Sequence, residues 1–278
     1  MVAYMDHKDL ANETIDADRA RQITDGVHKV LDGIAEAESA AGREKGSVTL
    51  LAATKTRDVG EIMAAIDAGV RMIGENRPQE VEAKVAGLTR LCADRGFALG
   101  AAATKAETLG SPASDDTFPL APLPFHLIGQ LQSNKINKVL PSVTTIESVD
   151  TLSLAEKISR RAAARGIIVG VLLEVNESGE ESKSGCEPAE AADLAHRIAA
   201  LDGLRLEGLM TIGAHVDDEA VIRRGFAHLR ETRDALLPDL PDCRELSMGM
   251  THDMAIAIEE GSTIVRVGTA IFGPRAFI

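Results

Sequence analysis

Short apolar segments alternate with helical segments along most of the chain, and this alternation restricts the possible folds more than any other feature. Eight apolar segments are each followed by a stretch with helical spacing of apolar residues or by a short turn. The predicted strands are residues 48–53, 71–73, 125–128, 143–146, 167–175, 204–209, 244–247 and 263–267. A further helix, residues 17–41, precedes the first strand.

Alternating strands and helices predict a parallel sheet, and eight units in 278 residues fit a closed (β/α)8 barrel of the TIM type. An open doubly wound sheet is the alternative. That fold usually carries a G-x-G-x-x-G motif after an early strand, and this motif is absent from the sequence. The sequence therefore favours a barrel with an extra N-terminal helix.

Residues 99–124 interrupt the alternation. This stretch is rich in Ala, Ser, Thr, Gly and Pro and has no periodic apolar face. A connection of this length is either a disordered insertion or a functional loop. Its single aromatic residue, Phe118, and its lack of a basic cluster favour disorder. We therefore predict one barrel domain over residues 1–278, with a flexible insertion at 99–124.

Composition excludes several classes of function. The formal net charge of -13 argues against a nucleic-acid site, which needs clustered Lys and Arg, and against binding to anionic lipid. The three cysteines are far apart and no metal-binding spacing occurs, so we expect neither a disulfide framework nor a metal site. The first ten residues lack the apolar run of a signal peptide, so a cytoplasmic location is expected.

Lys55 is the first candidate for chemistry. It follows the apolar strand 48–53 in A-A-T-K-T, and active sites of such barrels form where the strands end. A lysine in the barrel mouth loses hydration, which lowers the pKa of its amine and makes it a nucleophile. Taken alone, the same lysine is better explained as a solvated residue.

The last strand supplies a second candidate. In V-R-V-G-T-A-I-F-G, a strand leads into a helical turn that begins with small residues. The backbone amides of Gly268 and Thr269 suit a phosphate, and Ser247 in S-M-G-M-T adds a hydroxyl group. A reactive lysine opposite a phosphate site suggests a phosphorylated aldehyde, of which pyridoxal phosphate is the obvious one.

Seven ordered motifs carry a resemblance to a known family. They are A-A-T-K-T, I-G-E-N-R-P-Q-E, F-H-L-I-G-Q-L-Q-S-N-K, E-S-K-S-G, G-L-M-T-I, S-M-G-M-T and V-R-V-G-T-A-I-F-G. With them the sequence resembles the pyridoxal phosphate homeostasis protein family, whose barrel is similar to the N-terminal domain of alanine racemase. The similarity covers nearly all of residues 48–275.

The resemblance implies a role for each of six residues. It implies that Lys55 holds the cofactor as a Schiff base and that Asn76 lies near the cofactor. It also implies that Arg266 faces the pyridine nitrogen. By the same resemblance, Ser247, Gly268 and Thr269 hold the phosphate. The implied function is buffering or delivery of pyridoxal 5'-phosphate in the cell, with apo enzymes as transient recipients and the carrier a monomer.

An amino-acid racemase that uses the same cofactor is the alternative function. Two features favour the carrier. A permanently charged Arg266 leaves the pyridine nitrogen unprotonated, and this weakens the electron sink that racemisation needs. Alanine racemase also uses a tyrosine from a second domain, whereas Tyr4 is the only tyrosine here. A barrel that binds another phosphorylated metabolite without a covalent bond is a third hypothesis.

Three further residues are weaker candidates for a functional role. Lys183 in E-S-K-S-G is either a second amine at the pocket or a solvated loop lysine. His126, within a predicted strand, is expected to be a hydrogen-bonded core residue. His215 stands beside Asp217 and Asp218, and we interpret this group as a turn and helix cap rather than a metal site.

Overall fold

Ten strands and nine α-helices lie within residues 9–101, 119–180 and 184–274, the parts of the chain that the computed structural model describes. The strands are β1 (Thr49–Ala53), β2 (Ile73–Glu75), β3 (Phe97–Leu99), β4 (Ala121–Leu123), β5 (Phe125–Leu127), β6 (Thr145–Val149), β7 (Val169–Glu174), β8 (Leu204–Met210), β9 (Glu245–Ser247) and β10 (Ile264–Val267). The helices are α1 (Ala17–Ala40), α2 (Val59–Asp67), α3 (Pro78–Ala93), α4 (Ile136–Val139), α5 (Leu152–Ala163), α6 (Ala191–Ala199), α7 (Glu219–Leu236), α8 (Met254–Glu259) and α9 (Thr269–Phe272).

Eight of the strands close into a parallel barrel in the order β1-β10-β9-β8-β7-β6-β5-β2. The predicted barrel with an N-terminal helix is therefore confirmed. Individual bounds differ by a few residues. For example, β2 begins at Ile73, and the Arg71 side chain just before it donates to the carbonyls of Ile66 and Val70. None of these helices, within the described part of the chain, has the length and hydropathy needed to span a bilayer.

Local capping explains where the first two helices begin. The Asp16 side chain accepts a hydrogen bond from the Arg19 amide and starts α1. Asp58 and Glu61 form a reciprocal capping box that starts α2 directly after the β1 turn. The Arg19 side chain also binds Glu61 and the carbonyl oxygen of Phe272. The extra helix is thereby tied to both the first and the last helical segments of the barrel.

Side chains alternate between the two faces of the barrel wall, as they do in any strand. Leu50, Ala52 and Val265 belong to the apolar layer between the strands and the helices. Leu51 and Arg266 occupy the alternate positions and are paired in register across β1 and β10, so both point into the barrel. The interior therefore contains a buried arginine.

The predicted insertion is shorter than residues 99–124. β3 and β4 form a separate two-stranded parallel sheet, in which Leu99 pairs with Leu123. Both leucines are buried, because the two strands pack against the helix and strand layers next to them. The prediction of disorder is therefore wrong at both ends of the segment, and its middle part, residues 102–118, lies outside the described residues.

We expect Leu123→Ala to lower the free energy of unfolding by about 2–5 kcal/mol, because the leucine is fully buried and the truncation leaves a cavity. Leu120→Ala is the matched control, since Leu120 is 46% exposed just before the same strand. Urea denaturation measures both variants. Equal, small effects would show that β4 does not belong to the core.

Candidate functional site

The seam between β1 and β10 brings Lys55 close to the start of α9. Ala52 pairs with Val267 at the end of this seam. The two backbones approach so closely beyond it that a Cβ atom on Gly268 would lie 3.1 Å from the carbonyl oxygen of Ala53. Lys55 follows two residues later and is half-buried. The lysine therefore emerges at the carboxyl-end mouth of the barrel, beside the predicted phosphate site.

β2 lies on the other side of β1 and contributes Asn76 to the same mouth. Ala53 pairs with Gly74, so Asn76 and Lys55 both stand two residues beyond the last paired positions. The Asn76 side-chain oxygen is buried and accepts no hydrogen bond from a described residue. A buried amide without a partner loses hydration without compensation. Such an atom fits a site that is completed by a bound molecule.

The first turn of α9 presents free amide groups to this mouth. Thr269 and Ala270 are exposed, and their backbone N–H groups donate to no acceptor among the described residues. Unsatisfied amides at the start of a helical turn bind anions, because the hydrogen-bond donors and the backbone dipoles point the same way. The predicted assignment of Gly268 and Thr269 to a phosphate is compatible with this geometry.

Arg266 lies deeper, inside the barrel, with only 7% of its surface exposed. One Nη1 hydrogen is donated to the Ser247 hydroxyl at 2.7 Å, and Nη2 donates to the Thr211 carbonyl at 2.8 Å. Burial lowers the pKa of the Arg266 guanidinium, and the nearby carboxylates of Glu147 and Asp253 oppose that effect. Arg266 stays charged, because arginine side chains do not lose their proton in proteins.

Glu147 is the counter-charge that accompanies Arg266 in the interior. Its Oε1 is 2.7 Å from His126 Nδ1, its Oε2 accepts the Ser247 hydroxyl proton at 2.7 Å, and the Arg266 guanidinium lies 4.0 Å away. Burial opposes ionisation of this carboxyl, but the hydrogen bond and charge of His126 and the charge of Arg266 outweigh burial and lower its pKa. A hydrogen-bonded chain thus crosses the barrel from β5 to β10.

Ser247 belongs to this series of hydrogen bonds across the barrel and not to the group of exposed amides. Its hydroxyl is fully buried, accepts from Arg266 and donates its only proton to Glu147. That proton is therefore not available to a phosphate, and these contacts do not support the predicted role of Ser247 as a phosphate ligand. They connect Ser247 with Arg266, the residue expected to face the pyridine nitrogen.

Thr251 is a hydroxyl residue in the loop that follows β9. The Gly249 carbonyl accepts from the Arg266 amide at 2.9 Å, so this loop runs alongside β10 toward Gly268. The Met250 amide then donates to Asp253 Oδ1 and closes a tight turn. The half-buried Thr251 side chain forms no hydrogen bond within the described part of the chain.

Glu174 adds a second carboxyl group to the interior. It is buried at the end of β7, and its Oε2 has no hydrogen-bond partner among the described residues. Burial raises its pKa to about 7, assisted by the negative charges of Asp150 and Glu147 and opposed by the positive charge of Arg266. Near neutral pH, Glu174 is therefore partly protonated.

The interior carboxyl groups were not identified as site residues from the sequence. The signal that could have identified them is a glutamate inside an apolar strand, as in T-I-E-S-V and V-L-L-E-V. His126 is hydrogen-bonded in the core, as predicted. Lys183 lies outside the described residues. Within residues 9–101, 119–180 and 184–274, no cluster of His, Cys, Asp or Glu side chains could hold a metal ion.

Comparisons with protein families and with known proteins both find matches that cover most of the chain. Residues 37–276 match the family model of the alanine racemase N-terminal domain. The chain is 37% identical over 257 residues to a pyridoxal phosphate homeostasis protein of Vibrio cholerae, covering 92% of this chain and 98% of that protein.

Two solved structures are also similar to the chain. A crystal structure of an unknown protein from Bifidobacterium adolescentis is 70% identical with a TM-score of 0.88, covering 95% of this chain and all of that one. The structure of PipY from Synechococcus elongatus with PLP bound is 32% identical with a TM-score of 0.66, covering 86% of this chain and 100% of that one.

The buried Glu174 predicts a pH dependence of stability. Its pKa in the folded state is raised to about 7, so its contribution to stability is complete below the ordinary carboxyl pKa and is lost as the pH rises through 7. We expect Glu174→Gln to leave stability nearly unchanged at pH 5 and to raise it by about 2–3 kcal/mol at pH 8. Urea unfolding at both pH values measures the difference.

Glu82→Gln is the control for this prediction, because Glu82 is exposed and paired with Lys138 on the surface. Its effect should be within about 1 kcal/mol at both pH values. A Glu174→Gln variant that is equally destabilised at pH 5 and pH 8 would contradict the assigned pKa.

Proposed function

The chain belongs to the alanine racemase N-terminal domain family, and from that premise we propose that it is a pyridoxal phosphate homeostasis protein. In this proposal it binds pyridoxal 5'-phosphate at the carboxyl-end mouth of the barrel and buffers or delivers it. The observation that carries the proposal is the arrangement of a strand-end amine, a buried guanidinium and exposed backbone amides around one mouth.

The donor groups at this mouth fit the functional groups of pyridoxal phosphate. The cofactor, when bound, supplies an aldehyde that condenses with a primary amine to a Schiff base with loss of water. In the proposal Lys55 provides that amine, and the first-turn amides of Gly268 and Thr269 bind the phosphate. Arg266 offers N–H donors to the ring nitrogen, and the Asn76 amide forms a further polar contact at the rim.

The surroundings of Arg266 favour a carrier over a catalyst. Glu147, Ser247 and the Thr211 carbonyl hold the guanidinium in place, and an arginine cannot give its proton to the ring nitrogen. An unprotonated ring is a poor electron sink, so abstraction of a proton from a bound amino acid gains little assistance. The proposed recipients are apo enzymes that use this cofactor, which a monomeric carrier contacts transiently.

The exposure of the proposed phosphate site is compatible with exchange of the cofactor between this protein and a recipient. Thr269, one of the two proposed phosphate ligands, lies at the surface, whereas catalytic sites that handle carbanions usually exclude water. With pyridoxal phosphate bound, an open site would admit the water needed to release it from Lys55 and would let it leave intact. Retention and release are therefore both compatible with the geometry of this mouth.

The first test of the proposal is the identity of the modified lysine and the fate of the cofactor. Borohydride reduction of the loaded protein followed by peptide mapping should place the adduct on Lys55. Loaded protein should restore the activity of an apo enzyme that uses the cofactor, and Lys55→Ala should lose both properties. Chiral analysis of L-amino acids incubated with the loaded protein tests the racemase alternative in parallel.

Lys138→Ala is the matched control, because Lys138 is a surface lysine paired with Glu82. It should keep the adduct and the transfer. A full adduct on another lysine in Lys55→Ala, with Lys183 examined first, would contradict the assignment of Lys55. Production of D-amino acids at roughly one turnover per second or faster would favour the racemase.

The second test separates the phosphate ligands from the residues that act through Arg266. We propose that Thr251, rather than Ser247, adds a hydroxyl to the phosphate site. Thr251→Ala should weaken binding of pyridoxal phosphate roughly 10- to 100-fold, as expected for a lost hydrogen bond to an anion. It should leave the dissociation constant of pyridoxal, which has no phosphate, unchanged.

Ser247→Ala should change the affinities for pyridoxal phosphate and pyridoxal by the same factor, because its contact is with Arg266. Absorbance titration with the two compounds measures all four constants. A Ser247→Ala variant that loses affinity for pyridoxal phosphate alone would restore the original assignment of this serine to the phosphate.

A further inference from the structure

A buried ion cluster lies directly beneath the turn that carries Lys55. The Lys84 ammonium donates three hydrogen bonds: to Glu75 Oε1 at 2.6 Å, to Glu80 Oε2 at 3.0 Å and to the Thr54 carbonyl at 3.1 Å. Lys84 and Glu75 are completely buried and Glu80 is 1% exposed. All three donors of the ammonium group are therefore used inside the protein.

The cluster binds the residues on both sides of Lys55. The Thr54 hydroxyl donates to Glu75 Oε1 at 2.6 Å, and the Thr56 amide donates to Glu80 Oε2 at 2.6 Å. Together with the bond from Lys84 to the Thr54 carbonyl, these contacts fix the backbone immediately before and after residue 55. The backbone of Lys55 is thus held from both sides while its side chain extends at the mouth.

Thr56 has an unusual backbone conformation. Its φ is 66°, and it is the one residue other than glycine with a positive φ within the described ranges of the chain. A β-branched residue in this left-handed region is strained, and such strain persists only where the surrounding structure imposes it. Here the hydrogen bond from its amide to Glu80 acts together with the turn bond from the Arg57 amide to the Thr54 carbonyl.

Stability alone does not account for the cluster. Burial of an ion pair costs desolvation energy, and apolar side chains of similar volume often stabilise a protein as well or better. Glu75 Oε2 is also buried without a partner among the described residues, and burial raises the Glu75 pKa to about 7. A costly cluster that binds the residues on both sides of Lys55 points to a role in positioning.

We propose that Glu75, Glu80 and Lys84 are positioning residues for Lys55, which hold the strained turn 54–56 so that the lysine amine is directed to the barrel mouth. The inference rests on the proposed function, in which Lys55 reacts with the aldehyde of pyridoxal phosphate. It adds that the rate of this reaction depends on residues that do not touch the cofactor.

The test compares the rate of adduct formation in Glu80 variants. Glu80→Ala removes the acceptor of the Thr56 amide and should slow the reaction of Lys55 with pyridoxal phosphate on the order of tenfold, because the turn relaxes. Glu80→Gln retains a side-chain oxygen that can accept from Thr56, so it should keep most of the rate. The rate of adduct formation is measured from the change in absorbance after the protein and pyridoxal phosphate are mixed. Peptide mapping after borohydride reduction identifies the modified lysine.

Thr56→Gly provides the rescue experiment. Glycine adopts a positive φ without strain, so the double variant Glu80→Ala/Thr56→Gly should recover part of the lost rate. A merely structural role of Glu80 predicts no such recovery. Glu82→Ala is the matched control, because Glu82 lies on the same helix, is exposed and pairs with Lys138. It should react at the rate of the unchanged protein.

The outcomes separate the inference from the proposed function. An unchanged protein that forms no adduct on Lys55 would refute the function. If the unchanged protein does form the adduct on Lys55, two results would refute the positioning role. One is a Glu80→Ala variant that reacts within twofold of the rate of the unchanged protein. The other is a double variant that reacts as slowly as Glu80→Ala. If Glu80→Ala does not fold by circular dichroism, Glu80→Asp replaces it, since a shorter carboxylate cannot reach Thr56 and Lys84 together, and the same criteria apply.

Discussion

The pairing of β1 with β10 is the interaction on which the rest of the structure depends. These are the first and last strands of the barrel, and their four paired positions close it. The same pairing sets Leu51 beside Arg266 inside the barrel and brings the end of β1 against Gly268. A residue in the first quarter of the chain thereby meets the last helical turn. The strand pairing that closes the barrel therefore also brings the parts of the candidate site together.

Closure also creates an electrostatic problem, because it buries the Arg266 charge. The barrel balances that charge with Glu147, which is held by His126 and Ser247. Glu174 then becomes the second carboxyl in a space that already contains one counter-ion, and its raised pKa follows from that position. The ionised Glu147 carboxylate therefore balances the Arg266 charge, while burial and the nearby negative charges favour the protonated form of Glu174.

The barrel and the residues at the ends of its strands were predictable, because apolar runs and the polar residues that follow them are local patterns. The positions of Lys55, Asn76 and Gly268 just after β1, β2 and β10 were predicted in this way. The contacts of Ser247 were not, since its partners Glu147 and Arg266 come from distant strands, and only the register across the barrel decides which hydroxyl faces which group. β3 and β4 were missed because three-residue strands next to a Pro- and Ala-rich stretch carry little periodicity.

The buried polar clusters around Arg266 and Lys84 lie at different parts of the same candidate site. The group around Arg266 fixes a donor at the bottom of the mouth, and the cluster around Lys84 fixes the amine at its rim. Each group is held by hydrogen bonds from more than one strand or helix, so neither can move without breaking several contacts. The exposed amides of Thr269 and Ala270, by contrast, have no such support from described side chains. A site that is rigid at the amine and the ring but open at the phosphate holds its ligand in a defined orientation and still leaves a path for it to depart.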